Sequence, residues 1–119
     1  MADDSVMIRK SLHHLFANHT KLEICDEAEN GLEAVEKAKR LRPDLIILDL
    51  SMPIMNGLDA AKAICAILPR VPIILFTLHA KAVSPADAKD ACIARVVPKE
   101  DAITLVQHAE DLLRDASSS

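Results

Sequence analysis

Aromatic residues are almost missing from this chain. Phe16 and Phe76 are the two it has, and there is no Trp and no Tyr. Single-stranded nucleic acids are usually held by bases stacked on aromatic rings, so that class of ligand is not expected. Glycine occurs twice in 119 residues, too seldom for a glycine-rich phosphate loop. No basic stripe offsets the net charge of -4, which argues against DNA as a direct partner of this domain. No apolar run approaches the roughly 20 residues that span a bilayer. Met1–Ser5 has neither a basic region nor an apolar core, so no signal peptide is expected. Cys25, Cys65 and Cys92 are odd in number and widely spaced, with no C-x-x-C pair. The expectation is buried, reduced thiols in the cytosol, with no redox or zinc role.

What the chain has is aliphatic. Hydrophobic residues make up 50% and charged residues 27%, which suits one folded domain with a modest core. The run Leu45-Ile46-Ile47-Leu48 ends abruptly in Asp49, and a turn follows through Pro53, Asn56 and Gly57. Such a run reads as a strand buried on both faces of a parallel sheet. Open parallel sheets carry their chemistry at the carboxyl ends of the strands, where Asp49 sits. A buried ionised carboxylate needs a cation or a reaction partner.

Helical and strand patterns alternate along the rest of the sequence. Ile8, Leu12, Leu15 and Phe16 predict a first helix over roughly 6–17. Residues 22–25 read as a short strand. Asn30-Gly31 opens a second helix with a stripe of Leu32, Val35, Ala38 and Leu41, and Pro43 ends it. Glu33 and Lys37, four apart, form an ion pair on its exposed face. A third helix starts at Gly57 with Leu58, Ala61, Ile64, Cys65 and Leu68 inward. Residues 71–77 form the next buried strand. Ser84-Pro85 starts a short helix that ends near Cys92. Residues 94–98 form the last strand, and Asp101 is expected to cap a final helix with the stripe Ile103, Val106, Ala109 and Leu113. Residues 116–119 read as a frayed tail or the start of a linker to the single domain 1–119. The alternation implies a parallel sheet with helices on both faces.

In that topology the strand ends share one edge, so Asp3, Asp4, Asp49, Thr77 and Lys99 can converge. Three carboxylates together repel unless a cation joins them. Hard oxygen ligands in an exposed cleft suit Mg2+, which keeps several waters and takes phosphate as a further ligand. A lysine and a hydroxyl beside them suit phosphate oxygens, and the set fits phosphoryl transfer onto a carboxylate. The five histidines lack a Ser or Cys partner at motif spacing, and none is assigned a catalytic role. His79 lies on the loop near the site, placed to tune how long a phosphoryl group survives.

The chain resembles the receiver domain of two-component response regulators from Asp3 to about Leu113. The resemblance rests on Asp3-Asp4, Asp49 with Met52-Pro53-x-Met55-x-Gly57, Thr77, Pro98-Lys99, and Ala28-Glu29-Asn30-Gly31-x-Glu33-Ala34. It implies a CheY-like, flavodoxin-like doubly wound parallel sheet of order 2-1-3-4-5. It also implies that Asp49 accepts a phosphoryl group from a histidine kinase. Asp4, Asp49 and the Ser51 carbonyl would hold Mg2+, with Asp3 acting through a water. Thr77 would bond a phosphoryl oxygen and pull its loop inward, and Lys99 would pair first with Asp49 and then with the phosphoryl group. A cytoplasmic switch is expected, with the last helix-strand-helix region as its output or homodimer face.

Four features depart from that family. Only Met1-Ala2 precede the acidic pair, where receivers have an apolar strand of about five residues. The first strand is therefore expected to be largely missing. Truncation is the favoured explanation, ahead of a dimer that closes the gap and a sheet that closes up as four strands. Val96 stands where the family has a switching Tyr or Phe. Leu78 stands where it has a small residue, and Glu100 follows the lysine in place of Pro, as in receivers attached to helix-turn-helix outputs. A degenerate receiver that binds partners without phosphorylation is the alternative function. A haloacid-dehalogenase-type phosphatase ranks below, because Ser51 stands where its second acid would be. A flavin carrier lacks the rings and phosphate loop it needs.

Overall fold

The computed structural model describes residues 1–117. Its elements are α1 (Val6–His19), α2 (Gly31–Leu41), β1 (Ile46–Leu48), α3 (Gly57–Ile67), β2 (Ile73–Thr77), α4 (Pro85–Asp90), β3 (Ile93–Pro98) and α5 (Ala102–Ser117). Two 3-10 turns, Ala80–Ala82 and Lys99–Asp101, lie beside the ends of β2 and β3. The three strands form a parallel sheet in the order β1-β2-β3. Every residue of β2 is buried, as an aliphatic strand covered on both faces should be. Ala28, Ala34, Ala38, Ala61 and Ile64 pack on one face of the sheet, bringing α2 and α3. Leu12, Phe16, Leu105 and Val106 pack on the other, bringing α1 and α5.

Local chemistry sets the helix starts. Ser5, Asn30, Asn56 and Ser84 each accept a hydrogen bond from the backbone N–H three residues on, which satisfies an orphan donor of the first turn. Pro85 occupies the first turn of α4, as expected. Asp101 is not the cap of α5. It lies in the 3-10 turn, where its carbonyl accepts from the Thr104 hydroxyl at 2.7 Å. Leu105, Val106 and Ala109 form the buried stripe of α5, while Ile103 is 76% exposed. Leu32 and Leu41 of α2 are likewise exposed, because the sheet covers only the Ala34–Val35–Ala38 side. The Glu33–Lys37 pair forms at 3.1 Å, and Lys37 also reaches Asp26 at 3.2 Å. Ala116 and Ser117, expected as tail, fall within the bounds of α5; Ser118 and Ser119 lie outside the described residues.

The N-terminal lane matches the expected departure. Ala2 makes parallel bridges to Ala28 on one side and Leu48 on the other. Four backbone bonds of 2.8–3.0 Å hold it: Ala2 to Ile47, Asp49 to Ala2, Asp3 to Ala28 and Ala28 to Met1. The lane order is thus residue 28, residue 2, β1, β2, β3, with the first two lanes reduced to bridges. Residues 22–25, expected as a strand, are not one. A strand needs a ladder, and the neighbouring lane reaches only Met1. A cavity of about 350 Å³ lies there, lined by Phe16, Ile24, Ala38, Leu45 and Ile47 among others. No helix among the described residues is long and apolar enough to cross a membrane.

The cysteines correct the expectation of reduced thiols. Cys65 in α3 and Cys92 between α4 and β3 form a disulfide with Cα atoms 6.2 Å apart, and Cys25 is free and exposed. A separation of 27 residues gave no local signal; the crossover through β2 brings the two together.

Two outcomes follow from this packing. Extending the N-terminus by about five apolar residues should raise both the thermal midpoint and the Mg2+ affinity. Differential scanning fluorimetry and titration calorimetry measure them, and no change in either refutes the idea that the lane is underfilled. Reduction of the disulfide should lower unfolding free energy by about 3–4 kcal/mol on loop-entropy grounds. Urea unfolding with and without reductant checks this; coincident curves would contradict it.

Candidate functional site

Asp49 directly follows β1, and its backbone N–H donates to the Ala2 carbonyl at 2.9 Å. This bond ties the acidic N-terminus to the strand end. Gly57 makes the approach of α3 possible. A Cβ there would stand 2.1 Å from the Asp49 carbonyl oxygen, so any other residue would push the helix away. Gly31 plays the same part for α2, where a Cβ would stand 2.1 Å from the Met55 carbonyl. Between Asp49 and α3, Ile54 takes a φ of 71° while Met55 N–H donates to Pro53 at 2.7 Å, a tight turn that a β-branched residue seldom adopts.

Lys99 follows the end of β3 and sends its ammonium between two carboxylates. It lies 2.7 Å from Asp3 Oδ2 and 3.2 Å from Asp49 Oδ2. Asp3 and Asp49 are both buried, whereas Asp4 is exposed. Ligand oxygens of Asp3, Asp4 and Asp49 lie within 4.8 Å of one another. Thr77 ends β2 and is fully buried, and its Oγ1 accepts from the His79 N–H at 3.1 Å. The register pairs Thr77 with Pro98, so it stands beside Lys99 on the same sheet edge. Ser51 lies on the exposed loop, where its backbone N–H favours the charged form of Asp49.

These surroundings set the charge states. Burial pushes the Asp49 carboxyl above its ordinary value of 3.8, and the negative charge of Asp3 pushes the same way. Lys99 and the Ser51 N–H oppose that shift without cancelling it. For Lys99, burial works against the charge, but its bonds to Asp3 and Asp49 and their charges prevail, so its pKa is raised above 10.5. Burial and the Asp3 charge thus leave the Asp49 carboxylate only partly compensated by Lys99. Oxygen donors of this kind and number fit Mg2+ in its usual carboxylate-and-water coordination.

The expected groups Asp3, Asp4, Asp49 and Lys99 are therefore brought into one cluster, with Thr77 and Ser51 on the same edge. One residue escaped the sequence reading. Arg9 of α1 is buried, donates from NH1 to the Asp3 carbonyl at 2.6 Å and from Nε to Glu27 at 3.0 Å, and stands 3.6 Å from Glu29. It locks the acidic loop to the 27–29 segment. Its position three before Leu12 and seven before Phe16 places it on the inward stripe, and that was the available signal.

Comparison with known proteins agrees with this geometry. The family model described as "Response regulator receiver domain" matches residues 1–110. Among curated proteins, the chain is 41% identical over 102 residues to a protein-glutamate methylesterase/protein-glutamine glutaminase 1 of Vibrio vulnificus, covering 84% of this chain and 27% of that protein. It is 36% identical to a protein of the corresponding name in Nocardioides, covering 98% and 32%. It thus spans about a third or less of the length of these relatives. Among solved structures, the receiver domain of AraT from Geobacillus stearothermophilus superposes with a TM-score of 0.85 at 30% identity, covering 98% and 92% of the two chains. The response regulator domain of Thermotoga maritima CheB gives 0.77 at 29%, covering 98% and 90%. TrrA of Thermotoga maritima, solved with Mg2+ and beryllofluoride, gives 0.84 at 31%, covering 93% and 94%. With the strand-end acid, the bridging lysine and the doubly covered parallel sheet in place, the chain belongs to the response regulator receiver domain family.

Proposed function

We propose that Asp49 accepts a phosphoryl group from a histidine kinase in a Mg2+-dependent reaction, and that the resulting acyl phosphate switches a partner-binding face. The observation that carries this reading is the Lys99 ammonium shared between Asp3 and Asp49. It leaves a buried carboxylate partly compensated and ready for a further positive centre. Asp4, Asp49 and the Ser51 carbonyl would hold Mg2+ directly and Asp3 through a water; the ion would neutralise charge on the incoming phosphoryl oxygens.

The Asp49 carboxylate oxygen attacks phosphorus, the donor's phosphorus–nitrogen bond breaks, and the imidazole leaves with a proton. Lys99 keeps its charge throughout and turns from the carboxylate toward the new phosphoryl oxygens. The transfer adds up to about one further negative charge at Asp49. The Thr77 hydroxyl can donate to one of those oxygens, which draws the loop after β2 toward the site. Val96 packs against the apolar core and lacks a ring to swing, so the output rests on backbone and helix shifts. The likeness to protein-glutamate methylesterases favours control of a methylesterase over direct DNA binding, and a cytoplasmic setting follows from a kinase partner.

Incubation with acetyl phosphate and Mg2+ should give one phosphorylated aspartate, visible on a phosphate-affinity gel. Asp49→Asn, or removal of Mg2+ with a chelator, should abolish the shifted band. A band that survives Asp49→Asn would defeat the assignment, and no band in the wild type would favour a phosphorylation-independent interaction module.

Stability gives a second readout. Because the folded state holds the Asp49 proton above 3.8, it binds more protons than the unfolded chain just above that pH. The Asp49 contribution therefore destabilises the fold as pH rises through that window. Asp49→Asn should be more thermally stable than wild type at neutral pH, with the difference shrinking as pH falls toward 3.8. An equal difference at pH 7 and pH 4 would contradict this electrostatic account.

A further inference from the structure

The disulfide is a feature that phosphoryl transfer does not use, and its place in the fold suggests what it does. Cys65 and Cys92 close a covalent ring over the intervening chain. That ring contains the whole responsive stretch: β2 with Thr77, the loop through His79, the 3-10 turn Ala80–Ala82, and α4. Within it α4 has six residues and none is buried. A helix that short is not stable by itself. Its N-terminal end is carried by Ser84 and the preceding loop. Its C-terminal end is held by Ala91, which is fully buried, and by the bond from Cys92 to α3. Cys92 is exposed and takes a φ of 59°, in the left-handed region that a non-glycine residue rarely occupies. Its sulfur is thus on an exposed residue, at a backbone position held by its surroundings.

Disulfides in reducing compartments are mostly transient, catalytic or redox-sensing, whereas structural ones belong to oxidising compartments. We propose that Cys65–Cys92 is a reversible thiol–disulfide site, reduced by a dithiol, and that its bond opposes the active conformation of the phosphoryl site. The coupling rests on the phospho-accepting reading of Asp49. One thiolate of the dithiol attacks the Cys92 sulfur, the Cys65–Cys92 bond breaks, and Cys65 leaves as a thiolate that takes a proton. The second thiol of the reductant then displaces Cys92, which leaves as a thiol, and the reductant becomes a cyclic disulfide. Two electrons pass to the protein, and every sulfur is accounted for.

The mechanical link is direct. When Thr77 turns to a phosphoryl oxygen, the loop between β2 and α4 must follow. In the oxidised chain the C-terminal end of that loop and helix is held twice, by buried Ala91 next to β3 and by the bond to α3. Reduction removes the bond and leaves the non-covalent hold alone, so α4 follows the loop more readily. The state that binds a phosphoryl group and the reduced state therefore favour each other, and binding linkage makes the effect reciprocal.

The test uses the chain with Cys25→Ser, so that the pair alone reacts. Alkylation and mass spectrometry across a series of oxidised and reduced dithiothreitol buffers report the thiol–disulfide equilibrium. Titration with beryllofluoride and Mg2+ reports the phosphoryl site in each state. Reduction should tighten beryllofluoride binding by about fivefold or more, and saturating beryllofluoride should shift the dithiol equilibrium toward the reduced form by the same factor. Cys92→Ser should bind as the reduced chain does. A bond that only stabilises the fold would leave beryllofluoride affinity unchanged, and that result overturns the coupling. Two alkylated thiols in every buffer overturn the site itself. Failure of oxidised chain, reduced chain and Cys92→Ser alike to bind beryllofluoride overturns the receiver reading and the coupling together, while alkylation still decides the redox site.

Discussion

The ammonium of Lys99, held between Asp3 and Asp49, is the constraint that organises the functional edge of this molecule. Two buried carboxylates so close would repel each other, and burial alone raises the energy of each charge. One cation shared between them makes the arrangement tolerable without satisfying it. That sharing requires the end of β3 to stand beside the end of β1, with β2 between them, so the parallel order of the sheet and the site are one requirement. It also requires the acidic N-terminus to reach the same edge, which the bond between Asp49 and Ala2 ensures.

A second layer of charge holds the first in place. Arg9 grips the Asp3 carbonyl with one nitrogen and Glu27 with another, so the acidic loop has a second brace besides Lys99. Charge-assisted bonds of this kind are stronger than neutral ones and are directional. The brace matters because the lane behind Asp3 offers little else. Ala2 contributes a single residue of pairing on each side, next to a cavity where a longer strand would make a continuous ladder. Asp3 thus depends on polar contacts for its position, whereas Asp49 and Lys99 are set by strands that pack on both faces.

The opposite flank is sparsely packed. Beyond Thr77 the chain runs through exposed Leu78 and His79 into α4, which buries no residue of its own. Leu78, which stands where the family has a small residue, is 68% exposed. A phosphoryl group would recruit Thr77, and the loosely held loop and helix are the elements that can answer. The disulfide from Cys92 to α3 is the strongest restraint on that flank. The strands that present the acid, lysine and hydroxyl are densely packed, whereas the segment after β2 buries little of itself.

The sequence by itself determined the βα alternation, the first helix from about residue 6, the helix starts at Asn30 and Ser84, and the identity of the convergent groups Asp3, Asp4, Asp49, Thr77 and Lys99. Each was legible because it depends on neighbours in the chain: apolar period, capping oxygens, and polar residues at the ends of aliphatic runs. Tertiary structure alone decided the rest. Residues 22–25 have strand composition but no ladder to join. Asp101 lost its capping role to a 3-10 turn, and Ile103 faces outward because the sheet covers a different stripe of α5. Arg9 became part of the site, and Cys65 met Cys92, through contacts between segments far apart in sequence. Local pattern records how a segment will fold. Which segments then touch depends on the crossovers that stack them, and those leave no mark on any single stretch of residues.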